Sequence, residues 1–77
     1  MINIGQNIRE ELVRQERTVS WLARKINCTR TAVYRLMDKN SIDTHQLMLI
    51  SQVLHRNFFI EINEETEHRL YDIDTEV

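Results

Sequence analysis

Apolar side chains recur at helical spacing along most of the chain, in segments that each begin beside a residue able to cap a helix. In the first segment Ile4, Ile8 and Leu12 follow one another every fourth residue, so they share one face of a helix. Asn3 stands directly before this face, and its side chain can accept a hydrogen bond from the open amide groups at a helix start. The pattern predicts a first helix that ends near Glu16.

Two shorter helices are predicted next, with a tight turn between them. Thr18 can cap the second helix, which ends at Ile26, and Thr29 can cap the third. About two residues therefore separate the helices, and Asn27 is of a residue type that tolerates the positive φ common after a helix end. The side chains expected to turn inward are Leu22, Ala23 and Ile26 in the second helix and Ala32, Val33 and Leu36 in the third.

A fourth helix is predicted from the capping residue Asp43 to about His55. Its buried face consists of Leu47, Ile50, Val53 and Leu54. An apolar cluster follows this helix and consists of Phe58, Phe59, Ile60 and Ile62. The alternation in Ile60-Glu61-Ile62 permits a short strand, and a brief fifth helix is equally compatible with it.

Composition favours one small all-α domain in the cytoplasm. A chain of 77 residues leaves no room for a second domain. It has no Pro and one Gly, so the Gly- and Pro-centred turns of hairpin-rich proteins are scarce. The hydrophobic fraction of 42% and charged fraction of 29% are those of a soluble protein, and no secretory leader or apolar span is present. Cys28 is the only cysteine, which excludes an intramolecular disulfide and favours the cytoplasm.

Charge is divided unevenly along the chain. Residues 1–60 carry nine Lys or Arg against five Asp or Glu, whereas residues 61–77 carry one Arg against seven acidic residues. The first segment therefore has a net charge of +4 and the second a net charge of −6. Residues 14–39 alone reach +5. Such a division suggests a head that binds a polyanion and an acidic tail, and the alternative is an ordinary solvated face.

The pair of short helices has the spacing of a helix-turn-helix, whose second helix enters the DNA major groove. Residues 19–38 resemble the helix-turn-helix of the Cro and phage-repressor class of regulators, also called the xenobiotic-response-element (XRE) family. The matching residues are Leu22 and Ala23 at the crossing, Ile26 and Asn27 at the turn, and Val33 and Leu36 in the recognition helix. The flanking segments 4–9 and 42–54 resemble the family's first and fourth helices, so the resemblance covers about residues 4–59. Two positions depart from the family pattern: Val19 stands where Gln is frequent and Asn27 where Gly is frequent.

The resemblance implies a lambda-repressor-like DNA-binding domain over residues 1–60, followed by an acidic C-terminal tail over 61–77. It also implies a transcriptional regulator of bacterial or phage origin, most simply a repressor, that binds double-stranded DNA sequence-specifically. The residues expected to contact bases are Thr29, Arg30, Thr31, Tyr34 and Arg35. Arg14, Arg17, Ser20, Lys39 and Asn40 are expected to contact phosphates. Arg30 and Arg35 are the main candidates for base contacts, because Arg can donate two hydrogen bonds to guanine, and the alternative is that they only neutralise phosphates.

The functional unit is expected to be a homodimer, because one helix in one groove reads only a few base pairs. The expected dimer interface consists of Phe58, Phe59, Ile60 and Ile62; alternatively, Phe58 and Phe59 complete the core of the single chain. A second hypothesis for function is an antitoxin or adaptor whose acidic tail binds a basic partner protein.

Other chemistry is not expected. Three His residues and Cys28 lack the spacing of metal ligands, and no Gly-rich phosphate loop is present, so we predict neither a metal, nor another cofactor, nor an enzyme. Trp21 is expected to pack rather than to contact DNA.

Overall fold

The computed structural model describes the backbone of residues 2–39 and 42–75 and the side chains as far as residue 70. Over these residues the chain is all-α, as predicted, and contains no strand. The helices are α1 (Ile4–Arg14), α2 (Val19–Lys25), α3 (Arg30–Lys39), α4 (Thr44–Leu54) and α5 (Phe59–Thr75).

Side-chain caps begin the first four helices, and all four predicted capping residues are confirmed. In each case a side-chain oxygen accepts a hydrogen bond from the backbone amide three residues later, at a helix end where no carbonyl is available. The bonds run to Asn3 from Gln6 (2.9 Å), to Thr18 from Trp21 (3.0 Å), to Thr29 from Ala32 (3.1 Å) and to Asp43 from Gln46 (2.7 Å).

Left-handed residues end α1, α2 and α4. The φ angle is 56° at Glu16, 58° at Asn27 and 53° at His55, so the predicted positive φ of Asn27 is confirmed. The amide that follows each of these residues bonds back to a carbonyl of the last helical turn: Arg17 to Leu12 (2.8 Å), Cys28 to Ala23 (2.9 Å) and Arg56 to Ser51 (3.1 Å). The amide of each left-handed residue also bonds to the carbonyl three residues before it. Each pair of bonds forms a Schellman motif, which reverses the chain sharply. They end α1 at Arg14, two residues before the predicted end.

The core lies where α3 packs against α1 and α2, and where α2 meets α4. Its fully or almost fully buried side chains are Ile4, Ile8, Leu12, Leu22, Ala23, Val33, Met37, Leu47, Ile50, Leu54 and Phe58. Ile26, Ala32, Leu36 and Val53, which were predicted to be buried, are only half-buried. Met37 takes the second core position of α3 because it lies four residues after Val33 on the same face.

Gly5 allows α1 and α3 to cross closely. A Cβ atom at this position would lie 2.0 Å from the carbonyl oxygen of Met37, which belongs to the backbone of α3 and cannot move aside. The only glycine of the chain therefore lies inside a helix, where the absence of a side chain allows the α3 backbone to approach α1. The turns between the helices use other residue types.

The chain after α4 forms a helix rather than a strand. Phe58 is fully buried in the single chain, and its amide donates a hydrogen bond to the Ser51 hydroxyl (3.3 Å). It therefore has no exposed surface for a dimer interface. The alternative, that Phe58 completes the core of the single chain, describes it correctly. The segment interpreted as an acidic tail is helical as far as Thr75. From Asn63 to Leu70 every side chain except Glu65 is exposed, so this part of α5 extends away from the core. The molecule is accordingly elongated, with extents of 46 × 20 × 19 Å.

Candidate functional site

The α2–α3 pair holds α3 by one face and leaves the opposite face open. Leu22 and Ala23 of α2 are buried with Val33 and Met37 of α3, and the four residues 26–29 connect the helices. The bond from Cys28 to the last turn of α2 fixes this connection. Because α3 also packs against α1, its orientation is set from two sides.

The open face of α3 carries the residues that the sequence singled out. Thr29, Arg30, Thr31, Tyr34 and Arg35 are all exposed, Tyr34 with 42% of its surface accessible. The four helical members are spaced i, i+1, i+4 and i+5, so they form one continuous surface on two turns. Thr29 differs from the others because its hydroxyl already accepts the capping bond from Ala32, which leaves its methyl group and its donor proton for other contacts.

Positive charge on this part of the molecule is not neutralised internally. Residues 17–37 contain five Lys or Arg and no acidic residue. In the described part of the chain no carboxylate pairs with Arg30 or Arg35. Other arginines do have carboxylate partners: Arg9 with Asp38, Arg14 with Glu11, Arg56 with Glu11 and Glu61, and Arg69 with Glu65. The unpaired cations are therefore concentrated on α2, α3 and their flanks.

The five residues expected to contact phosphates have different surroundings. Arg17 and Lys39 are exposed, and Ser20 is half-buried at the start of α2. Arg14 is 71% exposed but is bound to the Glu11 carboxylate through its Nε atom (2.8 Å) and Nη2. Asn40 lies outside the described residues. Arg17 and Lys39 are thus the charged members available to a ligand.

Trp21 packs at the edge of the core, as predicted, and also contacts two cations. Its half-buried ring lies against the core cluster. The guanidinium carbon of Arg17 is 4.5 Å from the ring centroid, and the ammonium nitrogen of Lys25 is 5.9 Å from it. Both distances are within the range of cation–π attraction.

A buried carboxylate links α1 to the start of α5, and sequence reasoning missed it. Glu11 is 4% exposed and accepts hydrogen bonds from Arg14, from Gln15 (2.6 Å) and from Arg56 (3.1 Å), while Arg56 also binds Glu61. The bond from Arg14 is the main cause that lowers the pKa of Glu11 to about 2, and burial opposes it. The available signal was position: Glu11 lies between Ile8 and Leu12 on the apolar face of α1.

The remaining members of the expected dimer interface differ in exposure, and one of them, Phe59, lines an open groove. Ile60 is 53% exposed, and Phe59 and Ile62 are half-buried against the core. The groove has a volume of about 330 Å³ and is bounded by Met48, Ser51, Gln52, His55, Arg56, Asn57 and Phe59. Met48, 50% exposed, adds to the apolar surface at this end of α4.

Metal-ligand groups do not gather in the described residues: no three His, Cys, Asp or Glu side chains there are placed to hold an ion. Cys28 is half-buried, and burial raises the pKa of its thiol. No helix within 2–39 and 42–75 is long and apolar enough to cross a bilayer. Comparisons with known protein families, with characterised proteins and with solved structures find no match for this chain.

Proposed function

We propose that this chain is a sequence-specific, double-stranded DNA-binding regulator of transcription, acting as a repressor through a helix-turn-helix formed by α2 and α3. The observation that carries the proposal is the open face of α3, where Arg30, Tyr34 and Arg35 are exposed in a stretch without any acidic residue. The resemblance of residues 19–38 to the Cro and phage-repressor class also assigns this face of α3 to DNA binding.

The side chains of this face suit base recognition in the major groove. Arg30 and Arg35 can each donate two hydrogen bonds to O6 and N7 of guanine. Thr31 can offer its hydroxyl to a base or its methyl group to thymine, and Tyr34 can reach a base edge or a phosphate. Four such side chains on two helical turns match the few base pairs that one recognition helix contacts.

The way α3 is held supports specific rather than loose binding. Gly5 lets α1 approach the backbone of α3, and the closed turn at Asn27 fixes its start on α2. The Arg9–Asp38 ion pair joins α1 to the last turn of α3. A recognition helix fixed before it meets DNA loses less conformational freedom on binding.

Phosphate contacts are assigned to Arg17, Ser20 and Lys39, which flank the recognition face. Arg14 stays a weaker member of the set, because contact with a phosphate would compete with its bonds to buried Glu11. Truncating the Arg14 side chain would also leave that carboxylate with fewer partners.

Dimerisation is assigned to the exposed surface that begins α5. This surface consists of Phe59, Ile60 and Ile62, with Phe58 now excluded from it. Two recognition helices must lie about 34 Å apart to enter successive major grooves on one side of the duplex. A contact between the two chains outside the recognition face is needed to set that distance.

The adaptor hypothesis keeps one supporting observation. Glu64 and Glu67 are exposed on an extended helix, so the acidic segment presents a defined surface to a basic partner. Co-purification with the product of a neighbouring gene, abolished by Glu64→Lys and Glu67→Lys together, would support it; copurification unaffected by these changes would count against it.

Selection from a pool of random duplexes tests the main proposal. We expect the purified chain to enrich a two-fold symmetric site whose half-sites are separated by about one helical turn. An Arg30→Ala, Arg35→Ala double variant is the matched control and should enrich no such site. Recovery of random sequences by the wild-type chain would contradict sequence-specific binding.

A further inference from the structure

The Arg17–Trp21–Lys25 cluster, named here the tryptophan clamp, is a second charged feature, formed by α2 and the loop before it and distinct from the recognition face. Lys25 lies one turn after Trp21 in α2, whereas Arg17 belongs to the loop before the Thr18 cap. The two cations approach the same indole ring at 4.5 Å and 5.9 Å. Their charges therefore lie no more than about 10 Å from each other.

Two like charges so close together repel, and long side chains on a surface otherwise keep their rotational freedom. The ring opposes both effects, since its electron-rich face attracts each cation. The position of Trp21 is itself restricted, because the residue is half-buried and packs against the core. The clamp is thus a pair of positive charges held in place by a rigid aromatic platform and left without a carboxylate partner in the part of the chain that the structure describes.

Two cations within about 10 Å of each other are close enough to contact two phosphates of one nucleic-acid strand. Phosphates of one DNA strand follow one another about every 3.4 Å along the helix axis, so neighbouring phosphates fall within reach of both charges. If α3 enters the groove as proposed, α2 packs directly against it and lies beside the flanking backbone. We infer that the tryptophan clamp is a binding site for two phosphodiester groups of duplex DNA, in which Trp21 is a positioning residue that orients Arg17 and Lys25. This inference rests on the proposed function and adds Lys25 and Trp21 to its binding surface.

A merely structural Trp21 predicts different behaviour. If the ring only covers the core, its replacement changes folding stability and leaves the affinity of the folded chain for DNA unchanged. If it orients the cations, its replacement weakens binding only while the cations are present. The two roles are therefore separated by the coupling between Trp21 and its cations.

The experiment measures binding of the full chain to a labelled random-sequence duplex by fluorescence anisotropy, over a series of salt concentrations. Arg17→Gln with Lys25→Gln should flatten the slope of log K against log salt by about 1.8, which corresponds to two phosphates. In the wild-type background, Trp21→Leu should weaken DNA binding by about 2- to 5-fold for each of the two cations that lose their contact with the ring. It should have no effect in the Arg17→Gln, Lys25→Gln background. Arg24→Gln is the matched control, because it removes a charge from the same helix without a ring contact in the described structure, and its effect should be independent of Trp21.

The results that would overturn the inference are equally defined. They are an unchanged salt slope in the double variant, or a Trp21→Leu effect that is absent or equal in both backgrounds. If Trp21→Leu does not fold, Trp21→Phe keeps a ring of weaker cation attraction and should show a smaller, still coupled, loss. The only tryptophan of the chain adds a direct readout: its emission should change on DNA titration and should stop changing in the Arg17→Gln, Lys25→Gln variant.

Failure of the inference can be told apart from failure of the proposed function. If binding still depends on Arg30 and Arg35 while the clamp variants have no effect, only the clamp is overturned. If the wild-type chain binds no duplex, or binds single-stranded RNA of the same length more tightly, both are overturned.

Discussion

Arg30 and Arg35 are exposed on adjacent turns of α3 without a carboxylate partner in the described residues, so their full donor sets are open to a ligand. We expect Arg30→Ala and Arg35→Ala each to lose about 1–3 kcal/mol on the preferred site and to relax base preference there. Lys39→Ala should weaken all sequences alike, because a contact to phosphate carries no sequence information. Competition between specific and random duplexes measures the difference. Equal losses on both duplexes would show that the two arginines contact phosphates only.

Glu11 is expected to contribute stability that depends on pH. Its pKa is lowered from 4.5 to about 2 in the folded chain, so the contribution is complete above pH 4.5 and is lost as the pH falls toward 2. Glu11→Gln should therefore lower the free energy of unfolding by about 1–3 kcal/mol at pH 7, because it removes a charged acceptor from three donors. Urea unfolding at pH 7 and pH 3 measures the change.

Glu10→Gln is the control for Glu11, because Glu10 is the exposed neighbour on the same helix. It should leave the free energy of unfolding nearly unchanged at both pH values. If the loss for Glu11→Gln is as large at pH 3 as at pH 7, the ionised network does not provide the stability.

At this scale the sequence predicted the residues that act through local rules. Caps and the left-handed Asn27 depend on a few neighbouring residues, and all were confirmed. Gly5 and Glu11 depend on which helix lies opposite them, so their roles emerge only once α3 and Arg56 are in place. The position of Glu11 on the apolar face of α1 was a signal that the sequence prediction did not use, and position alone could not have identified its partners.

Helix ends offer a test at the scale of elements. The left-handed conformation of Glu16 and His55 is unfavourable for residues with a Cβ, by about 1–2 kcal/mol, whereas glycine adopts it freely. Glycine also gives the unfolded chain more freedom, which offsets about 0.4–1 kcal/mol. We therefore expect Glu16→Gly to stabilise the chain by up to about 1 kcal/mol, measured by thermal or urea unfolding. Glu10→Gly, inside α1, should instead destabilise it by about 0.5–1 kcal/mol; stabilisation by both changes would contradict the argument.

The fifth helix is the element that sequence predicted least well. The sequence pattern from Phe58 to Ile62 is compatible with both a strand and a helix, and the acidic residues of segment 61–77 suggested a tail. The structure favours the helix because Phe58 enters the core and Arg56 binds Glu61, which anchors the first turn of α5. Both anchors depend on partners outside the segment, the core for Phe58 and Arg56 for Glu61, so the pattern of the segment alone could not predict the helix.

Charge is distributed unevenly over the whole molecule, which bears on the proposed binding of DNA. The cations without carboxylate partners in the described structure belong to α2, α3 and their flanks, whereas α5 carries exposed acidic residues such as Glu64 and Glu67. We expect duplex affinity to fall steeply as salt rises, with a slope in log K of about −0.9 for each neutralised phosphate. Binding titrations between low and physiological salt measure this slope. Affinity that does not change with salt would contradict a phosphate-contacting surface.

The expected dimer interface contains one residue, Ile60, at which dimerisation can be tested without changing the core. Ile60 is 53% exposed, whereas Ile62 packs against the core, so Ile60→Glu alone changes the surface without removing a core contact. We expect the wild-type chain to sediment as a dimer at high concentration or on its operator, and Ile60→Glu to shift it to the monomer and weaken operator binding. Val13→Glu is the matched control, because Val13 is 77% exposed on α1 and is not a member of the expected interface, and this variant should remain dimeric. A wild-type chain that stays monomeric with and without operator would rule out the interface, since a single recognition helix would then act alone on a site of only a few base pairs.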